Sequence, residues 1–324
     1  MRTLTFWTGL KTEDRGASAA IGNFDGVHLG HQAVIDIARD RARALGAPLG
    51  VITFEPHPRE FFHPEAPPFR LMNAETRQHR LERLGVERLY QLPFDGRLAA
   101  LTAERFAREV LVEGLGLRHA VVGRDFRFGK GREGDAAMLE RFGREMGFGV
   151  TIAELVHGAH GEVSSTSIRK ALSEGRPREA AAMLGHWHRI DGEVYGGDRR
   201  GRELGYPTAN MSIDRLHPPR FGIYAVKVEV LTGPHAGCYD GAASVGVRPM
   251  FGNNQPNLET FLFDFSGDLY GEHLSVAFIE YLRPEAKFDS LEALVAQMDE
   301  DCARAREILS RIEPGWSWRD CADG

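Results

Sequence analysis

The chain has 324 residues, a formal net charge of −6, 42% hydrophobic residues and 27% charged ones. This balance excludes extended disorder, and scattered arginines on an acidic chain do not make a nucleic-acid groove. The length accommodates two domains, each burying its own core.

The opening MRTLTFWTGLKTEDRG is interrupted by Lys11, Glu13 and Asp14 before an export signal or membrane span reaches useful length. Cys238, Cys302 and Cys321 are odd in number and widely spaced, which suggests neither a disulfide framework nor a zinc module. A reducing cytoplasm is the expected compartment, with no membrane and no nucleic acid as partner.

From residue 17 to 160, short apolar runs (SAAIGNF, APLGVITF, ERLYQLPF, RHAVVGRDF, GVTIAELV) alternate with helically spaced segments such as HQAVIDIARDRARAL and AERFAREVLVEGLG. Alternation of this kind predicts an α/β domain with a Rossmann-like, doubly wound parallel sheet and ligands at the carboxyl ends of its strands. KALSEGRPREAAAMLGHW is a helical connector broken by Gly175 and Pro177. The domains expected are 1–184 and 185–324.

Beyond residue 185 strands and glycine turns take over. In GIYAVKVEV, Tyr224, Val226, Val228 and Val230 share one face and Lys227 and Glu229 the other. The pattern predicts an antiparallel β-barrel, closed by a terminal helix over 289–309 with an Asp or Ser cap.

Four segments carry candidate chemistry in the first half. In AIGNFDGVHLGHQAV a strand ending at Ile21 runs through a glycine turn into a helix beginning near His28, so free amides point at the turn and form an anion site. His28 and His31 share a helix face and can donate hydrogen bonds to a triphosphate, while Gly30 allows close backbone approach. Two decorative surface histidines, or a zinc site, are the competing readings. SSTSIRK adds three hydroxyls and Arg169 at a helix start, suited to phosphates or to a plain cap. TFEPHPREFF and VGRDFRFGKGREGD follow strand-like runs and mix aromatics with polar anchors, which suits a flat heteroaromatic ring or a core rim.

Together GNFDGVHLGH, TFEPHP, VGRDFRFGKGREGD and SSTSIR resemble, in order and spacing, the adenylyltransferase module of the prokaryotic bifunctional riboflavin kinase/FAD synthetases. The resemblance implies AMP transfer from ATP to FMN with release of pyrophosphate. It places Gly22, Phe24, Asp25, Gly26, His28, His31, Ser165, Thr166 and Arg169 at the ATP, with the two histidines and Arg169 catalytic. Asp125 with Phe54, Phe62 and Phe126 would face the flavin.

GGDRRGRELGYPTANM and NLETFLFDFSGDLYG carry the second half. Glycines can wrap phosphates, and Thr208 and Asn210 are hard oxygen donors suited to magnesium, or turn-formers in a hairpin. Glu259 shares strand parity with Phe261, Phe263 and Phe265, so it faces inward if those rings do; a helix covering the outer face is the other possibility. Both segments resemble the riboflavin kinase domain of the same family. That resemblance implies ATP at Gly201, Gly205 and Pro207, Mg2+ at Thr208 and Asn210, and Glu259 as base for the ribityl hydroxyl. The chain departs from the usual pattern at Thr260 and Phe261, where Val and His are common, and at Met250, where Thr is. These positions bear on flavin affinity. A nucleotidylyltransferase for another acceptor with a structural barrel, and a noncatalytic flavin sensor, are the alternatives.

Overall fold

An apolar strand with no polar alternation must be covered on both faces, and in the computed structural model all four residues of Ser18–Ile21 are buried. The structure describes residues 1–154, 157–158, 161–196, 205–250 and 253–312. They divide into two compact units, 1–66 with 78–163 and 67–77 with 164–324.

In the first unit the strands are β1 (Arg2–Leu4), β2 (Ser18–Ile21), β3 (Leu49–Glu55), β4 (Arg88–Pro93) and β5 (His119–Gly123), a small hairpin of β6 (Arg127–Phe128) and β7 (Gly134–Asp135), and β8 (Gly149–Ala153). A six-stranded sheet of order β1-β4-β3-β2-β5-β8 is parallel throughout. Helices α1 (Leu29–Leu45), α2 (Pro58–Phe62), α3 (Ala74–Arg83), α4 (Gly96–Ala99), α5 (Ala103–Arg105, continued by a π-helical stretch Phe106–Gly114) and α6 (Ala136–Met146) complete this part of the chain. From β2 the chain winds through β3 to β4, then returns to place β5 on the other side of β2. The carboxyl ends of β2 and β5 therefore flank the point where winding reverses, which is where doubly wound sheets bind ligands. The five strands expected from apolar runs are present; β1 lies in a stretch too short to be read as one.

After the hairpin β9 (His157–Gly158) and β10 (Gly161–Glu162) come α7 (Ser165–Ser173) and α8 (Pro177–Leu184), separated at Gly175, whose φ is +72°. The second unit then forms an antiparallel, nearly closed barrel from β11 (Arg189–Glu193), β12 (Ala209–Ser212), β13 (Gly222–Val230), β14 (Gly237–Met250), β15 (Asn253–Leu262) and β16 (His273–Arg283). Their order is β11-β16-β13-β14-β15-β12, and a bridge between Tyr195 and Asn210 links the two ends. Tyr224, Val226, Val228 and Val230 point into the barrel with Val245, Leu258 and Leu262. Helix α9 (Leu291–Leu309), capped by Ser290, packs Ala305 and Leu309 on the outer face against Ala225, Ala242, Phe263 and Ile279. Cys238 is disulfide-bonded and Cys302 is a free thiol; an odd cysteine count gave no sign of that bond.

Candidate active sites

The loop after β2 is strained. Phe24 and Val27 hold positive φ of 51° and 42°, with Gly26 at 87° between them. A β-branched residue in this region is a backbone outlier, and such strain concentrates at functional loops. Phe24 and Val27 are buried and act as anchors, so packing holds the loop in this shape; Asp25 is also buried.

His28 is the N-cap of α1. Its Nδ1 accepts the backbone N–H of His31 at 3.3 Å, which leaves Nε2 as the protonated nitrogen and a donor. The rings of His28 and His31 stack at 3.7 Å between centroids, and Phe24 lies 5.1 Å from His31. Burial, and secondarily the neighbouring His28, hold His31 well below the ordinary histidine range, so it is neutral at physiological pH. A Cβ on Gly30 would sit 3.1 Å from the His28 ring. Gly30 therefore makes room for the His28 ring. Among the described residues no group of three His, Cys, Asp or Glu forms a metal cluster, so the zinc reading finds no third ligand.

Phe62, Phe94, Phe54, Phe106, Phe128 and Phe126 form a continuous chain of ring contacts with successive centroids 5.4–6.4 Å apart. The chain joins the segment after β3 to that after β5. Phe62 is its exposed end at 57%, whereas Phe54 packs within the core, as does half-buried Phe126. Asp125 is exposed in the turn after β5, close over Gly123. Gly22 lies beneath the Phe24 ring.

In the second unit, Ser164 caps α7 by accepting from the Ser167 N–H at 3.2 Å. Capping is thus done one residue before Ser165 and Thr166. Arg169 reaches back to the Thr166 hydroxyl at 3.4 Å and the Phe69 carbonyl at 3.3 Å, with its guanidinium 5.8 Å over the Phe69 ring. His217 Nε2 meets the Arg169 carbonyl at 3.0 Å and the Ser173 hydroxyl at 2.9 Å. A planar cation held on three sides is suited to an oxyanion.

The barrel carries a cavity of about 250 Å3 between its outer face and α9. Thr208 and Glu259 both line it, with Ser244, Phe261 and Tyr206 from the barrel and Leu294, Met298 and Cys302 from the helix. Register explains the grouping: Asn210 pairs with Glu259, and Glu259 with Ser244, so these side chains share a face. That face is the outer one. Phe261 and Phe263 pack under α9, while Leu258 and Leu262 fill the interior, so Glu259 keeps the company that parity gave it, and of the two directions left open the helix-covered outer face is the one observed. Phe265 leaves the set, packing with the interior cluster after a positive-φ Asp264.

Asn210 is buried and joins Glu259 through Asn257, whose Nδ2 donates to Asn210 Oδ1 at 3.2 Å and to Glu259 Oε1 at 3.4 Å. Asn210 in turn donates to the Thr208 carbonyl at 3.3 Å. Gly205, with φ +85°, and Pro207 are exposed on the approach to Thr208; Gly201 lies outside the described residues. The far wall is fixed by Arg283, whose Nε donates to both Asp301 oxygens at 3.0 Å and whose Nη2 donates at 2.7 Å. Tyr206 donates to Asp299; burial and that carboxylate push its hydroxyl up to about 12, so it remains a donor. Burial, then Asp301, pushes the Cys302 thiol up to about 11. Thr260 lies on the opposite side of the strand from Glu259, fully buried, so it does not touch the cavity. Met250 has a described backbone only.

The family model for FAD synthetase matches residues 10–167 and that for riboflavin kinase residues 184–309. The bifunctional riboflavin kinase/FMN adenylyltransferase of Pseudomonas fluorescens is 43% identical over 93% of this chain and 96% of its own. The chain belongs to that family. The Escherichia coli K12 member is 38% identical over 92% of this chain and 95% of its own, and the Bacillus subtilis member 34% over 94% and 96%. A crystal structure named as a macrolide-efflux protein from Streptococcus pneumoniae superposes with a TM-score of 0.80 at 32% identity, covering 96% of this chain and 99% of that one. Among the described residues no helix is long and apolar enough to cross a membrane.

The terminal helix was expected on the barrel, but sequence reading assigned none of its residues Leu294, Met298 and Cys302 to this cavity, nor Asn257 to the polar cluster. Only the shared parity of 257 and 259 pointed to the asparagine.

Proposed function

We infer that the protein phosphorylates riboflavin to FMN and adenylylates FMN to FAD, consuming ATP in both steps and releasing pyrophosphate in the second. The observation that carries the kinase half is the meeting of Glu259 and Thr208 on one cavity, with Asn210 tied to the same carboxylate through Asn257. Family membership over nearly the whole chain supports both halves.

For the kinase we assign Glu259 as the base. Its carboxylate takes the proton of the ribityl hydroxyl as that oxygen attacks the γ-phosphorus of ATP, and ADP departs in line. The apolar walls from Phe261, Leu294 and Met298 suit the flavin ring. Gly201, Gly205 and Pro207 are assigned to the nucleotide. Thr208 and Asn210 fit a magnesium site: both offer hard neutral oxygens, Thr208 is half-exposed, and Asn210 Oδ1 keeps a second lone pair beside its bond from Asn257. Magnesium bound there supplies charge neutralisation for the phosphates.

For adenylyl transfer the FMN phosphate attacks the α-phosphorus of ATP and pyrophosphate leaves. We assign His28 and His31 to that charge, His28 donating from Nε2–H, with the strained loop at Gly22, Phe24, Asp25 and Gly26 shaping the approach. Ser165, Thr166 and Arg169 are assigned to phosphates on the strength of their own motif, and Phe62, Asp125 and Phe126 to the flavin, with Phe54 supporting the rings. An enzyme consuming ATP in this way is placed in the cytoplasm.

Purified protein with riboflavin, ATP and Mg2+ should yield FMN and then FAD by chromatography. Glu259→Gln should stop FMN formation while supplied FMN still becomes FAD, and His31→Ala should do the reverse. Loss of both activities from either change in a folded protein refutes separate sites, and turnover of another acceptor in place of FMN refutes the substrate assignment.

A further inference from the structure

Asn257 is not among the residues that the motifs nominate, yet it ties the cavity residue Glu259 to Asn210 from behind the cavity wall. It lies two positions before Glu259 on β15, so both side chains leave the same face, and only 6% of it is exposed. A primary amide carries two N–H donors and one oxygen. Here all are matched: Nδ2 donates to Asn210 Oδ1 at 3.2 Å and to Glu259 Oε1 at 3.4 Å, and Oδ1 accepts from the Tyr195 hydroxyl at 2.7 Å.

The acceptor-only carboxylate of Glu259 decides which way the amide faces, and the phenol, donating to the amide oxygen, holds it there. A flipped amide would present its oxygen to two other oxygens and its NH2 to a hydroxyl better used as donor. Tyr195 is itself fixed by the barrel-closing bridge to Asn210, whose carbonyl accepts the Tyr195 N–H at 3.0 Å. The seam that shuts the barrel thus helps to hold one asparagine, and through it a carboxylate and a second amide.

We propose that Asn257 is a positioning residue of the kinase reaction, holding Glu259 and Asn210 in one fixed relation, with Tyr195 holding its amide in place. The proposal rests on Glu259 being the base and Asn210 a nucleotide–magnesium contact. With both donors in place the carboxylate is kept aimed, and the Asn210 oxygen is kept from swinging away. Neither Asn257 nor Tyr195 need touch the substrate.

The test uses the full-length protein and four variants: Asn257→Leu, Asn257→Asp, Tyr195→Phe and Glu259→Gln. Asn257→Leu should lower riboflavin kinase kcat about tenfold or more with riboflavin KM changed less than about threefold. Asn257→Asp sets a second negative charge against Glu259 and should move the acid limb of the kcat profile up by about one pH unit or more. Tyr195→Phe, which removes the donor to the amide oxygen, should show the same effects at smaller amplitude. By calorimetry the gain in ADP affinity on adding Mg2+ should shrink in Asn257→Leu. Far-UV circular dichroism and urea unfolding of the barrel report that each variant is folded, and if Asn257→Leu fails that control the other two decide. Wild-type kcat, pH profile and Mg2+ increment in the position 257 variants, with Glu259→Gln inactive, overturn the proposal. An active Glu259→Gln instead overturns the base assignment beneath it.

Discussion

Replacing Thr260 by valine should stabilise the barrel. Thr260 is completely buried, and its Oγ1 has no hydrogen-bond partner. Its strand neighbours across the ladder are Ala209 and Ala243, and Leu258 and Leu262 flank it on the interior face. An unpaired buried hydroxyl costs about 1–3 kcal/mol, and valine exchanges it for a methyl of similar size. A gain of about 1–2 kcal/mol follows. For a cooperative unit of this size each kcal/mol moves Tm by about 2–4 °C, so Tm should rise by about 2–8 °C. Urea unfolding would show a higher midpoint at unchanged slope, and differential scanning calorimetry the matching shift. Because the side chain points away from Glu259 and the cavity, riboflavin KM and kinase kcat should stay within about twofold. A lower or unmoved midpoint would mean that the hydroxyl is satisfied in solution, and a changed riboflavin KM would mean that the strand's two faces have been wrongly assigned.

Gly30→Ala should act through His28. The new Cβ meets its ring at 3.1 Å, so the imidazole must give by a few tenths of an ångström; adenylylation should fall about threefold or more in FMN-to-FAD assays while kinase activity is retained. Burial lowers the buried His188 to about 3, with a smaller push from His217, and neither of its ring nitrogens has a partner. Its unfolded value is near 6.5, so below that pH the unfolded chain binds a proton that the folded one refuses; stability is intact above about 6.5 and falls as pH drops toward 3, by up to about 1.4 kcal/mol per pH unit. His188→Phe should flatten that acid limb in urea titrations run between pH 4 and 7. Cys302, on the cavity wall with its thiol pushed up to about 11, should alkylate slowly at pH 8 and more slowly still with riboflavin bound, as intact-mass kinetics in the wild-type protein would show.

Chemistry set by residues close in sequence was legible before any fold was known. His28 and His31 stand three apart at a helix start, which puts them on one face; five apolar runs alternating with helical segments read as parallel strands; Ser290 could be read as a cap. Glu259 could likewise be grouped with Phe261 and Phe263, because a strand alternates whatever lies around it. Alternation says which residues travel together, not which side is covered, and α9 decided that from more than 30 residues away by packing on the outer face. The pairing of Asn210 with Glu259, and the amide of Asn257 between them, depends on how β12 and β15 align across the barrel, and the purpose of Gly30 depends on where the His28 ring comes to rest. Local periodicity is a property of the chain; register between distant strands and the side on which a helix docks are set by burying apolar surface across the whole unit, so they exist only once it has folded.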